Sequence, residues 1–163
     1  MNNITTFISR LQITIGIGCL IVFLVSTLIQ VGSRHFGISV IWSEELAVNS
    51  FIWAMFLGAA VMVKEKEHFS FSGLTAKLEG KKRSLLIILQ NIIMLVFCVL
   101  CSIYSIEITE TFWNSRWISL PELKQGYVWL VLPITFMTSA IYLVENIVKE
   151  SVVLIGRGTL LWN

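Results

Sequence analysis

The chain has 163 residues, 56% hydrophobic and 13% charged, with a net charge of +2 and a mean hydropathy of +0.81. That composition falls outside the range of soluble globular domains and describes a membrane protein. All 10 acidic residues are glutamates, so chemistry built on a metal-binding aspartate cluster has no ligands here, and no nucleic-acid partner is expected.

Four apolar runs, 11–31, 46–63, 85–106 and 127–147, are each long enough to cross about 30 Å of hydrocarbon as a helix. The expected fold is all-α, a single membrane domain over 1–163 with four transmembrane helices. The first run is too long for a signal-peptide core and reads as a retained helix. Counted at the ends of these runs, nine Lys and Arg fall on one side (Arg10, Lys64, Lys66, Lys77, Lys81, Lys82, Arg83, Lys149, Arg157) and three on the other (Arg34, Arg116, Lys124). The positive-inside rule then predicts cytoplasmic termini, with Trp42, Trp113, Trp117 and Trp129 at the outer interface.

Span one, apolar around its circumference, carries Gly16 and Gly18. The short connection after it holds Arg34 and leads to "WSEELAVNS", in which Glu44 and Glu45 stand just before span two. Three roles compete for this pair. The carboxylates could favour the positive end of the helix dipole, with Ser43 as N-cap; they could pair with Arg34 or a cation on another chain; or they could bind a transported cation. No other acid lies deep in any span to continue a conduction path, which favours ion pairing. Successive helical residues point about 100° apart, so Glu45 shares its face with Asn49 while Glu44 aligns with Ala47 and Val48.

Within span two, Ala47, Ser50, Ala54 and Gly58 recur at helical spacing, a stripe that lets another helix approach closely. The connection that follows predicts a short interfacial helix carrying Phe71, Leu74 and Leu78, with Gly80 at its end. Lys81, Lys82 and Arg83 then meet anionic head groups of membrane lipids. Span three has Gln90 and Asn91 near its inner end. Its Cys98 and Cys101 have redox-like spacing, but at this depth they read as packed small residues. The outer connection "FWNSRWISLPELKQG" leads into span four, where Pro133 predicts a kink and Glu145 can pair with Lys149 four residues on.

Arg34 followed by "IWSEELAVNSFIWAMFLGAAVMVKEKEH" resembles the signature of the small, DctQ-type membrane subunit of TRAP (tripartite ATP-independent periplasmic) transporters. The matching residues are Arg34, Trp42, Glu44, Glu45, Gly58, Ala59 and His68. "LPELKQGYVWLVLPITFM", with Pro121, Gly126, Trp129 and Pro133, is similar to that family's outer loop and fourth span. The resemblance implies a non-enzymatic scaffold without cofactors. It would pack on a large twelve-span subunit that carries the substrate and sodium sites and moves as an elevator. A periplasmic substrate-binding protein would deliver an organic acid to the pair.

Other small multi-span proteins lack their chemistry here. A haem anchor needs His within the spans, and His35 and His68 lie outside them. A dimeric multidrug exporter needs an acid inside span one, and a quinone-linked disulfide oxidase needs outer Cys pairs. The alternative that remains is a non-catalytic anchor or assembly subunit of another inner-membrane complex.

Overall fold

The computed structural model describes residues 2–65 and 81–159. Among these the chain is helical without strands: α1 (Asn2–His35), α2 (Ile41–Lys64), α3 (Lys81–Thr111), a single turn α4 (Gly126–Trp129) and α5 (Val131–Thr159). Four helices are long and apolar enough to cross a membrane, the fourth running through α4 and α5 from Gly126 to Ile155. This is the all-α, four-span fold that the apolar runs predict. The interfacial helix expected after span two, and His68 with it, fall outside the described residues.

Gly37 makes the turn between α1 and α2. Its φ of +72° is a left-handed conformation that costs a glycine little. It lets the Ile38 N–H donate to the Ser33 carbonyl (2.9 Å) and the Gly37 N–H to that of Arg34 (3.1 Å), closing the last turn of α1 in a Schellman motif. The chain therefore reverses within a few residues, and α2 packs back along α1.

α2 packs in turn on α5, and α5 on α3, leaving α1 and α3 on the flanks. Leu57, Val131 and Leu132 form one buried cluster; Ala60, Val63, Cys98, Tyr142 and Leu143 form a second. Cys98 is thus the packed small residue that its depth suggests, and Cys101 beside it is half-buried and also a free thiol.

The small-residue stripe divides. Ala47 and Ala54 are buried, and Ser50 is half-buried with its hydroxyl on the carbonyls of Leu46 and Ala47. A Cβ on Gly16 would lie 4.0 Å from the Ala54 carbonyl oxygen, so the helix that comes close at Ala54 is α1 of the same chain. Gly58 is exposed, with open space around it. The seam runs 43, 47, 50, 54, 57, alternating steps of four and three, and this leads it to Leu57 instead of Gly58.

Pro133 is buried, and the backbone breaks between α4 and α5 as its ring requires. Lacking an N–H, it leaves the Trp129 carbonyl, four residues back, without its helical donor. The Thr109 hydroxyl of α3 reaches that carbonyl at 3.2 Å. That hydroxyl also donates to the Ser105 carbonyl at 2.7 Å, so the freed group at the outer end of the fourth span shares its donor.

Candidate functional site

Polar side chains gather at both ends of the bundle. The 36–40 turn, the start of α2 and the 112–125 connection form the outer end, named for the side with fewer cations; the start of α1, the end of α2 and the second half of α5 meet at the inner end.

At the outer end the two adjacent glutamates do different things. Glu44 faces α1, where its Oε2 accepts from the Gln30 amide (3.1 Å) and lies 3.8 Å from Arg34 Nη2. Both side chains of this ion pair are well exposed, so water and salt screen it to about 0–1 kcal/mol. The expected pairing with Arg34 is present, but for Glu44 alone.

Glu45 meets no cation among the described residues. Its carboxylate accepts the backbone N–H of Ile118 at 3.0 Å and that of Ser119 at 2.9 Å, and the Ser119 hydroxyl donates to it as well. Three donors on one ionised acceptor are charge-assisted bonds, each stronger than a neutral pair. They fasten the first turn of α2 to a connection more than 70 residues away in sequence. One helical turn below, Asn49 is buried on the same face, its Nδ2 without a hydrogen-bond partner among the described residues. Glu44, Glu45, Asn49, Ile118 and Ser119 all line one shallow outer pocket.

Ser43 does not cap α2. The helix begins two residues earlier at Ile41, with Val40 as cap residue and no side-chain cap bond. The Ser43 hydroxyl, fully buried, donates back to the Val40 carbonyl at 2.8 Å instead. Because apolar residues extend the helix outward, Ser43 becomes an interior packing position.

The connection that Glu45 grips is itself built. Gln125 N–H donates to the Ser115 carbonyl (2.7 Å), Trp117 N–H to that of Leu123 (3.1 Å), and Arg116 Nη1 to that of Pro121 (2.6 Å). Gly126 makes this closure possible: a Cβ there would sit 2.8 Å from Trp113 Cα, closer than any side chain tolerates. Trp42 and Trp113 are exposed at this level, whereas Trp117 is turned inward and only 7% exposed. Ile118 projects outward at 92% exposure, the most exposed large apolar side chain described.

At the inner end, Gln12 of α1 donates to the Thr138 hydroxyl (2.9 Å) and accepts from the Tyr142 hydroxyl (2.7 Å). Asn146 Nδ2 reaches the Val63 carbonyl of α2 at 3.3 Å. Glu145, only 6% exposed, pairs with Lys149 at 2.6 Å and is also bonded by Thr5. Lys81, Lys82 and Arg83 stand exposed at the start of α3.

These features define a polytopic helical membrane protein, fastened by a carboxylate clasp at one end and a polar seam at the other. A family model for the DctQ component of tripartite ATP-independent periplasmic transporters matches residues 23–152, and the chain belongs to that family. No curated protein matches it.

Arg34, Trp42, Glu44 and Glu45 lie at one end of the bundle, and the structure adds two residues there that the sequence does not flag, Ile118 and Ser119. Their contribution is mainly backbone N–H, which has no residue-type signature; only the Ser-Leu-Pro turn at 119–121 hints at free donors. Gln12 is likewise overlooked, although a lone glutamine inside an apolar span is a cue to a polar partner.

Proposed function

We propose that this chain is the small permease subunit of a sodium-coupled, binding-protein-dependent transporter for organic acids. It is a scaffold that packs on the large elevator subunit and carries no substrate itself. The observation that supports this reading is the family match across most of the four-helix bundle. The charge asymmetry supports an inner-membrane orientation with cytoplasmic termini, since the basic ends of α2, α3 and α5 share one side.

In this reading the outer clasp presents a fixed surface. Glu45 holds the 112–125 connection against α2, and Glu44, Arg34 and Trp42 remain accessible beside it for the large subunit or the binding protein. Ala47, Ser50, Ala54 and Pro133 shape the bundle that carries this surface, and the outward-facing Gly58 leaves room for a partner helix. His68 belongs to the same motif. Sodium binding and substrate recognition reside in the other subunits.

The test is co-expression with the large subunit, purification in mild detergent and an uptake assay. Co-elution of the two chains, with uptake lost on deletion of this one, is the expected result. Separate elution with uptake intact in the deletion strain contradicts the reading.

A further inference from the structure

A groove of about 500 Å³ opens at the membrane-facing side between α2 and α3, with α5 as its floor. Phe56 and Ala59 of α2, Met94 and Phe97 of α3, and Phe136 of α5 give it apolar walls. Gln90 stands on its α3 wall, and the buried Nε2 of that side chain has no hydrogen-bond partner among the described residues. The Thr135 hydroxyl on the floor also has no partner among the described residues, but a helical threonine can satisfy itself on a carbonyl of the preceding turn. That amide lies closed off from the groove, and a rotation about the Gln90 side-chain bonds turns it to the groove surface, where an acceptor from outside satisfies it.

The spacing along α3 indicates what supplies it. Arg83, Gln90 and Phe97 are seven residues apart and therefore share one face, the face that lines the groove. Arg83 is exposed about 10 Å from Gln90 along the helix axis, towards the inner end, with Lys82 and Lys81 beside it. From the inner end inward the surface therefore presents cations, then one amide donor, then an apolar trough. A phospholipid presents the complementary order: phosphate, ester carbonyl, acyl chain.

We propose that this groove is a binding site for one anionic phospholipid. Its phosphate and head group lie on Arg83 and Lys82, an ester carbonyl accepts from Gln90 Nε2 once that side chain turns to the groove, and one acyl chain fills the trough along Met94, Phe97 and Phe56. A partner helix could fill the apolar part, but a lipid also places an anion where Arg83, on the groove face, and Lys82 beside it stand exposed. The lipid accounts for both the charge and the amide, and the site does not depend on which transporter the chain serves.

The experiment is native mass spectrometry of the full-length chain released from nanodiscs of equimolar phosphatidylglycerol and phosphatidylethanolamine. The wild type should retain one lipid, with phosphatidylglycerol favoured about fivefold for each basic residue engaged. Arg83→Gln with Lys82→Gln should remove the preference while a lipid is still retained. Gln90→Leu should lower retention of both lipids several-fold, and Ala59→Trp should abolish it by filling the trough. Arg10→Gln, on the opposite flank, should change nothing. Equal retention of the two lipids by the wild type overturns the proposal, as does wild-type retention in a folded Gln90→Leu variant. Cross-linking from a photoreactive residue at Ile93 to another polypeptide instead of lipid also overturns it.

Discussion

Glu45, half-buried, and Glu145, buried, are both carboxylates held at an end of the bundle, and they are satisfied in opposite ways. Glu145 finds a cation one turn along its own helix, Lys149 at 2.6 Å. Glu45 finds neutral donors, two of them backbone N–H groups, on a connection that returns to it through tertiary structure. The inner pair is local and readable from i,i+4 spacing. The outer clasp is non-local, and it is what makes the start of α2 and the 112–125 connection one rigid end.

The contrast predicts unequal mutational costs, measurable as thermal unfolding in detergent. Glu45→Ala should be the most damaging, about 2–3 kcal/mol, because it removes the charged acceptor that three donors of the 112–125 connection share, and hydrogen bonds to a charged group are the strong ones. Ser119→Ala keeps both amide bonds and should cost far less, so equal losses from the two variants would break the distinction drawn here. Gly126→Ala comes next, at about 1–3 kcal/mol, since the new Cβ meets the Trp113 backbone at 2.8 Å and no rotamer change can relieve it.

At the inner end, Tyr142→Phe removes one buried bond to Gln12 and should cost about 1 kcal/mol, typical of interhelical hydrogen bonds in membranes. The smallest effect is expected from Glu44→Gln, below about 1 kcal/mol and shrinking with added salt, because its ion pair with Arg34 is exposed on both sides. A salt-insensitive loss there of the size found for Glu45 would mean that Glu44 is the true clasp.

The four spans are legible because, apart from closed barrels, hydrocarbon admits only long apolar helices, so runs of this length nearly determine the fold. The break at Pro133 was legible for an equally local reason, a missing N–H. What repairs it, the Thr109 hydroxyl on Trp129, was not, because that contact depends on how α3 sits against the start of the fourth span. The same limit explains the outer site. "WSEELAVNS" announced two carboxylates and their level, and period-3.6 geometry separated their faces, but charge logic suggested a cation for Glu45 where the fold supplies backbone amides. Ser43 offers itself as a cap because a Ser before two Glu is a soluble-helix signal, but here apolar neighbours carry the helix start two residues before it.

Amide hydrogen exchange at Ile118 and Ser119 tests the clasp most directly. In the wild type both amides should exchange slowly, and in Glu45→Ala they should exchange at least about tenfold faster, in line with losing roughly 1.4 kcal/mol or more of protection. The Trp117 and Gln125 amides, bonded within the connection itself, should keep most of theirs. Unchanged exchange at Ile118 and Ser119 when Glu45 is removed would contradict the account and return Glu45 to the role of a free charge at the membrane surface.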